Sequence, residues 1–288
     1  MNFSVIFLLQ ITITILFCIL AAIFDVKKGI VPDLLTENLL VFGLISNIFL
    51  AIFSSNIKYI LASIISVAIT YTITYLMWQL NIWGGGDVKL FTGIASVIPF
   101  GFNLEFLNIF PVLSIYPFSF SVVINSILVS FPFLVIFVVH LIFKNKTFET
   151  NSDLLLNVFN FETLKYLVES TLNKWVAVKD IKEGAIVNEY YFNNEYICEL
   201  INEIDGNLKI YKSDDDEFRF YFKSQSAGGI TEKEMHLLKI MSAQGFISDK
   251  LSVKIAFPFT PAILIGLMIA VSYGDIMMLF TKNIILVI

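Results

Sequence analysis

The sequence has 288 residues, 57% of them hydrophobic and 15% aromatic, and a formal net charge of −5. At a mean hydropathy of +0.80 the chain carries more apolar surface than a water-soluble fold can hide, so a lipid bilayer is its expected solvent. The pI near 5.1 and the lack of a basic patch exclude a nucleic-acid partner, which would need cations to neutralise phosphates.

A helix needs about 20 apolar residues to cross the hydrocarbon, because every backbone polar group must be satisfied within the segment. Taken along the chain, six stretches are read as spans. The first, Phe3 to Phe24, has no charged n-region and no small-residue cleavage site, so it is read as a retained span rather than a secretory signal. Leu34 to Phe53 and Tyr59 to Leu80 follow. Val88 to Pro99 is the fourth, with an irregular extension interrupted by Gly101, Pro111 and Pro117. Ser119 to Phe143 is the fifth and Ile255 to Tyr273 the last.

Between Lys144 and Lys254 the composition turns polar and acidic, with 14 Lys and Arg against 18 Asp and Glu. Short alternating or β-branched runs at Lys174 to Val178, Ala185 to Phe192, Leu208 to Tyr211 and Phe218 to Phe222 predict strands. Thr231 followed by Glu234 predicts a capping box that opens a helix, and Gly245 its C-terminal stop. The expected fold is an all-α polytopic membrane protein of about six transmembrane helices, with a small α+β soluble domain inserted before the last helix. The membrane domain covers residues 1–143, the soluble domain 144–254, and the last helix with a C-terminal tail 255–288.

Orientation follows from Lys and Arg near the span ends. Lys27, Lys28, Lys89, Lys144, Lys146, Lys250 and Lys254 fall on one side, against Lys58 and Lys282 on the other. Both termini are therefore expected outside, with the Asp25 loop, the Asp87 loop and the soluble domain on the cytoplasmic face of the cell membrane.

Ionisable residues at membrane depth cost about 2.5–3.5 kcal/mol each and need a reason to be there. Asp25 closes the first span, Asp87 opens the fourth and Asp275 follows the last. Asp25 and Asp87 share one membrane face in this topology, so carboxylates remote in sequence can meet. Two carboxylates at close range share a proton. The ionised member can activate a water, and the protonated one can hydrogen-bond to the carbonyl under attack. Gly84, Gly85 and Gly86 precede Asp87, and without a Cβ they permit positive φ and let a substrate backbone approach closely. The same run also reads as a flexible loop with an N-cap aspartate. Cys18 and Cys198 lie far apart, and His140 and His236 are isolated, so no disulfide framework, metal centre or other cofactor is expected.

The run Gly84 to Asp87 followed by Lys89, together with Asp25, Lys27, Ile30, Pro32, Asp33 and Thr36, resembles the type IV prepilin peptidase family of Gly-x-Gly-Asp membrane aspartic proteases. It is most similar to the archaeal preflagellin and prepilin peptidases. Pro258, Phe259, Pro261, Ala262, Leu264 and Gly266 are similar to the proline-rich start of the final helix in that branch. Lys179 to Ile186 and Gly229 to Glu234 look like segments of its inserted soluble domain. The resemblance implies that Asp25 and Asp87 are the catalytic pair. Gly84, Gly85, Gly86, Lys27, Lys28 and Lys89 are candidate substrate-binding or dyad-supporting residues, the lysines alternatively marking the cytoplasmic boundary. Asp33 and Thr36 are expected to cap the second helix, and Pro32 to set its first turn.

The implied function is removal of short basic signal peptides from type IV pilin-like or archaellin (preflagellin) precursors at the cytoplasmic membrane face. The absence of a Cys-x-x-Cys pair predicts cleavage without N-methylation. The long soluble insert leaves a pilin-specialised enzyme open, and its Asp214, Asp215 and Asp216 are candidates for attracting a basic leader. Competing readings are a presenilin- or signal-peptide-peptidase-like intramembrane protease, an ion- or proton-coupled transporter, and a scaffold for a secretion partner. Oligomeric state is not legible.

Overall fold

The computed structural model describes residues 3–80, 82–101, 111–112, 116–144, 172–187, 190–192, 209–212, 218–221, 229–245, 247–255 and 257–287. Cys198, Lys146, Asp214, Asp215, Asp216 and most of the extension after Pro99 lie outside the described residues. The chain divides into two compact units, Met1–Val135 with Pro258–Ile288, and Ile136–Phe257.

The helices are α1 (Phe3–Lys28), α2 (Asp33–Phe53), α3 (Lys58–Gln79), α4 (Gly85–Val97), α5 (Phe118–Lys144), α6 (Glu232–Ala243), α7 (Thr260–Ser272) and α8 (Ile276–Val287). Four of them, α1, α2, α3 and α5, are long and apolar enough to cross a membrane. Their burial pattern is that of a protein dissolved in lipid. Leu16, Ile45, Ile65 and Phe131 are exposed, whereas Thr14, Asn47, Ser63, Ser66, Thr70, Ser119 and Asn125 are buried. Lipid is as apolar as leucine, so helices there gain by burying small and polar residues that pack closely and hydrogen-bond to one another. The buried seam does this. Asn47 Nδ2 donates to the carbonyls of Ser96 (2.8 Å) and Val97 (3.2 Å), Ser63 Oγ donates to that of Ser96 (2.7 Å), and the hydroxyls of Thr70 and Ser119 are 2.7 Å apart.

Two helices differ from the spans expected of them. The fourth stretch forms α4, 13 residues long, and nearly every residue from Asp87 to Val97 is buried. The last forms α7, also 13 residues, because Ile255 and Phe257 to Phe259 are not helical and Pro261 falls in the first turn. At 1.5 Å per residue each measures about 20 Å, short of the roughly 30 Å hydrocarbon. Helix α4 is an interior helix packed on α2 and α3, while α7, about half of whose residues are buried, packs on α1. The C-terminal segment read as a tail forms α8. The buried Asp275 caps it, accepting hydrogen bonds from Met277 N (2.8 Å) and Met278 N (3.1 Å) and from the Tyr116 hydroxyl.

In the second unit, β1 (Asn173–Ala177), β2 (Ile186–Val187) and β6 (Lys250–Lys254) form an antiparallel sheet in the order β1-β6-β2. A second antiparallel sheet orders β3 (Tyr190–Phe192), β5 (Phe218–Tyr221) and β4 (Lys209–Lys212) as β3-β5-β4. Strand β6, unread in the sequence, is the centre of the first. Its Leu251 packs with Val178, Ile181, Val187, Ile230, Leu238 and Met241 in a small core. Thr231 and Glu234 form the expected capping box at the start of α6, and Gly245 follows its end with φ +78°.

Candidate active site

Asp25 stands in the last turn of α1, where Lys28 is the final helical residue, and its side chain is half-buried. Asp87 is the third residue of α4 and is buried. One residue joins them. Thr260, wholly buried at the start of α7, donates its backbone N–H to Asp25 Oδ2 (3.0 Å) and its hydroxyl to Asp87 Oδ1 (3.3 Å). Asp25 and Asp87 thus meet at one end of the first unit, brought there by α1, α4 and α7.

The glycine run acts locally. Gly84 is the extended N-cap of α4, at φ −72° and ψ 152°, and its N–H donates to Asp87 Oδ2 at 3.2 Å. The aspartate therefore reaches back to the cap residue as the third residue of a capping box does, and is not the N-cap itself. None of Gly84, Gly85 and Gly86 occupies the left-handed region. Closeness is what favours glycine at 86, where a Cβ would stand a tight 3.0 Å from Val31 Cβ.

An aromatic cluster includes residues next in sequence to the glycine turn and to Thr260. The ring of Trp83, the residue before the glycines, lies 5.4 Å from that of Phe91 on α4 and 5.7 Å from that of Phe259, which precedes Thr260. Phe91 and Phe259 are 6.4 Å apart. Rings at these spacings add about 0.5–1.5 kcal/mol per pair beyond the area they bury. The cluster ties the glycine turn to the start of α7.

The lysines make other contacts. Lys89 Nζ pairs with Asp33 Oδ1 at 2.6 Å, with side chains 44% and 63% exposed. Asp33 does not cap α2 through its side chain: the N-cap is Pro32, with no side-chain cap bond, and the Asp33 carboxylate is turned to Lys89. Thr36 Oγ1 bonds back to the Asp33 carbonyl at 2.9 Å. Lys28 Nζ sits 5.0 Å above the Phe24 ring, and Lys27 is exposed. An exposed pair contributes about 0.2–1 kcal/mol. Lys89→Gln is therefore expected to lower proteolysis less than about 5-fold, the equivalent of roughly 1 kcal/mol. A loss of tenfold or more in folded enzyme would show that this lysine tunes the carboxylates.

Thr260 escaped the reading of the sequence, although Phe259 and Pro261 on either side were singled out. A lone threonine at the start of an apolar helix is an ordinary capping residue, and its partners are 235 and 173 residues away. No local pattern marks it.

A multi-pass membrane protein that gathers two carboxylates at the ends of its helices has the build of a membrane-embedded peptidase. Residues 12–139 match the type IV leader peptidase family. The chain is 26% identical to prepilin peptidase EppA of Methanothermobacter thermautotrophicus, in an alignment covering 98% of each protein. It is 32% identical over 81 residues to the preflagellin peptidase of Methanocaldococcus jannaschii, covering 28% of this chain and 34% of the relative. With the preflagellin peptidase of Methanococcus voltae it shares 25% over 177 residues, covering 58% and 66%. The chain is similar to the type IV leader peptidase family over residues 12–139, a likeness that supports a peptidase. The match covers most of α1, all of α2 to α4 and most of α5, and so includes both Asp25 and Asp87. It favours a leader peptidase over the presenilin-like, transporter and scaffold readings.

Proposed function

We propose that Asp25 and Asp87 are the catalytic pair of an aspartic endopeptidase that removes the short basic signal peptide from type IV pilin-like or archaellin precursors at the cytoplasmic membrane face. The observation that carries this reading is that Thr260 hydrogen-bonds to both carboxylates, which puts them in one site. The ionised carboxylate takes a proton from water as the oxygen attacks the scissile carbonyl. The protonated one donates a hydrogen bond to the developing oxyanion.

In the topology that goes with this reading, α1, α2, α3 and α5 cross the membrane, the shorter α4 and α7 are embedded beside them, and the polar residues between α5 and α7 form a cytoplasmic domain. A pilin-like precursor joins a basic leader to an apolar helix. The helix lies beside the spans, the leader stays in the cytoplasm, and their junction reaches the carboxylates at the membrane surface. A pilin-like precursor is favoured over an archaellin, since the relative aligned over 98% of both chains is named a prepilin peptidase.

Co-expression of the full chain with a pilin-like and an archaellin precursor tests the proposal, the products being sequenced at their new N-termini. Cleavage is expected between the basic leader and the apolar helix. A new N-terminus inside the apolar helix would point to presenilin-like cutting, and failure of inserted enzyme to process either precursor would overturn the proposal.

A further inference from the structure

Thr260 is the only residue among those described that hydrogen-bonds to both Asp25 and Asp87, and it uses two chemically different groups to do so. Its backbone N–H is among the first of α7, which have no partner inside the helix. That orphan donor is spent on Asp25 Oδ2, while the hydroxyl goes to Asp87 Oδ1. Gly84 N–H holds the second oxygen of Asp87. Among the described residues, Asp25 Oδ1 receives no hydrogen bond, so one carboxylate oxygen stays available to a water or a substrate carbonyl while the other three are held.

The mounting of Thr260 is rigid. Thr260 is wholly buried, Pro261 fixes the first turn of α7, and Phe259 is held against Trp83 and Phe91. A serine or threonine that only stabilised the start of a helix would bond to the backbone of its own first turn. Here the hydroxyl instead crosses to a different helix and to a carboxylate.

We infer that Thr260 is a positioning residue for the dyad: α7 uses it to fix the separation and relative orientation of the two carboxylates, and through them the geometry of the attacking water. This rests on Asp25 and Asp87 being the catalytic pair. It gives the third helix at the site a chemical task that neither aspartate motif contains. Because Thr260 acts on the carboxylates and not on the precursor, its loss belongs in kcat and not in KM.

The test uses purified full-length enzyme in lipid vesicles with a pilin-like precursor, all rates being normalised to folded protein. Thr260→Val keeps the shape and the backbone N–H but removes the hydroxyl. Thr260→Ser keeps both donors. A hydrogen bond to a charged group corresponds to roughly a 10- to 100-fold effect. Thr260→Val is expected to lower kcat by about that factor with KM changed less than about 2-fold, and Thr260→Ser to recover to within about 3-fold of wild type. Thr260→Ala, which also keeps the N–H, takes the place of the valine variant if that one does not fold, with the same expected loss. Wild-type kcat in the valine or alanine variant, a loss confined to KM, or equal losses in the serine and valine variants would overturn the inference. Asp25→Asn and Asp87→Asn are measured in parallel. If they remain active, the assignment of the pair fails; if they are inactive while Thr260→Val is not, the role of Thr260 alone fails.

Discussion

Asp87→Asn and Asp25→Asn are each expected to lower precursor processing by about 10³-fold or more, with the enzyme still inserted and folded. General acid–base catalysis contributes about 10²- to 10⁴-fold, and stabilisation of the developing oxyanion a similar factor. Either substitution leaves one carboxyl group without the partner it shares a proton with, so the proton taken from water can no longer be passed on to the leaving group. The fold is expected to persist because the amide is the same size as the carboxylate. At 87 its oxygen can still accept the Gly84 N–H, and its amino group can donate to the Thr260 hydroxyl, which accepts as well as donates. At 25 its oxygen can accept the Thr260 N–H. The two groups act as one unit, so the double variant should be little worse than either single one. Processing is followed by the mobility shift of the precursor, and folding by thermal unfolding in detergent. Residual activity within tenfold of wild type in either variant would remove that aspartate from the chemistry.

The parts of this molecule that were legible in its sequence are those where one physical demand dominates a local stretch. Helices α1, α2, α3 and α5 are long apolar runs that water would not tolerate, and Asp25 at the end of α1 and Asp87 at the start of α4 stand out as charges beside apolar sequence. Helix α6 announced itself through Thr231 and Glu234, which satisfy each other's backbone donors. Other elements went unread because two demands competed for the same residues. Lys250 and Lys254 read as membrane-boundary charges, yet with Leu251, Ser252 and Val253 they alternate as a half-buried strand does, and they form β6. Asp275 was noted as a charge near the last span, when its place immediately before Ile276 makes it the cap of α8. Lys89 and Asp33 were read separately, one as a boundary or dyad residue and one as a cap, and the structure pairs them. The role of Thr260 lies beyond local pattern altogether, since it consists of contacts to segments folded from the other end of the chain.

A single methyl group placed far from the carboxylates is expected to have the second-largest effect. At Gly43 on α2, a Cβ would overlap Ser96 Oγ and stand 2.6 Å from both the carbonyl carbon of Ser96 and the amide nitrogen of Val97 on α4. Side-chain rotation can relieve the first of these, but the other two are backbone atoms and move only if α4 moves. Moving α4 also strains the Asn47 and Ser63 hydrogen bonds to the Ser96 and Val97 carbonyls. Overpacking costs about 1–3 kcal/mol, and a weakened interhelical bond in a membrane roughly 0.6 more. Gly43→Ala is therefore expected to destabilise the enzyme by about 2–4 kcal/mol, measured by unfolding in mixed detergent micelles. The consequence reaches the site because α4 is a single buried 13-residue helix with Asp87 in its first turn. A shift at Ser96 tilts or translates that turn relative to Thr260. A misplacement of about 1 Å can cost 10²-fold in rate, so the folded fraction of Gly43→Ala should process precursor about 10²-fold more slowly. Ser96→Ala separates this explanation from a local side-chain clash. It removes the Oγ but leaves both backbone atoms in place, so it should not rescue Gly43→Ala. Rescue would mean that α4 can stay where it is and that Gly43 serves only to seat one hydroxyl.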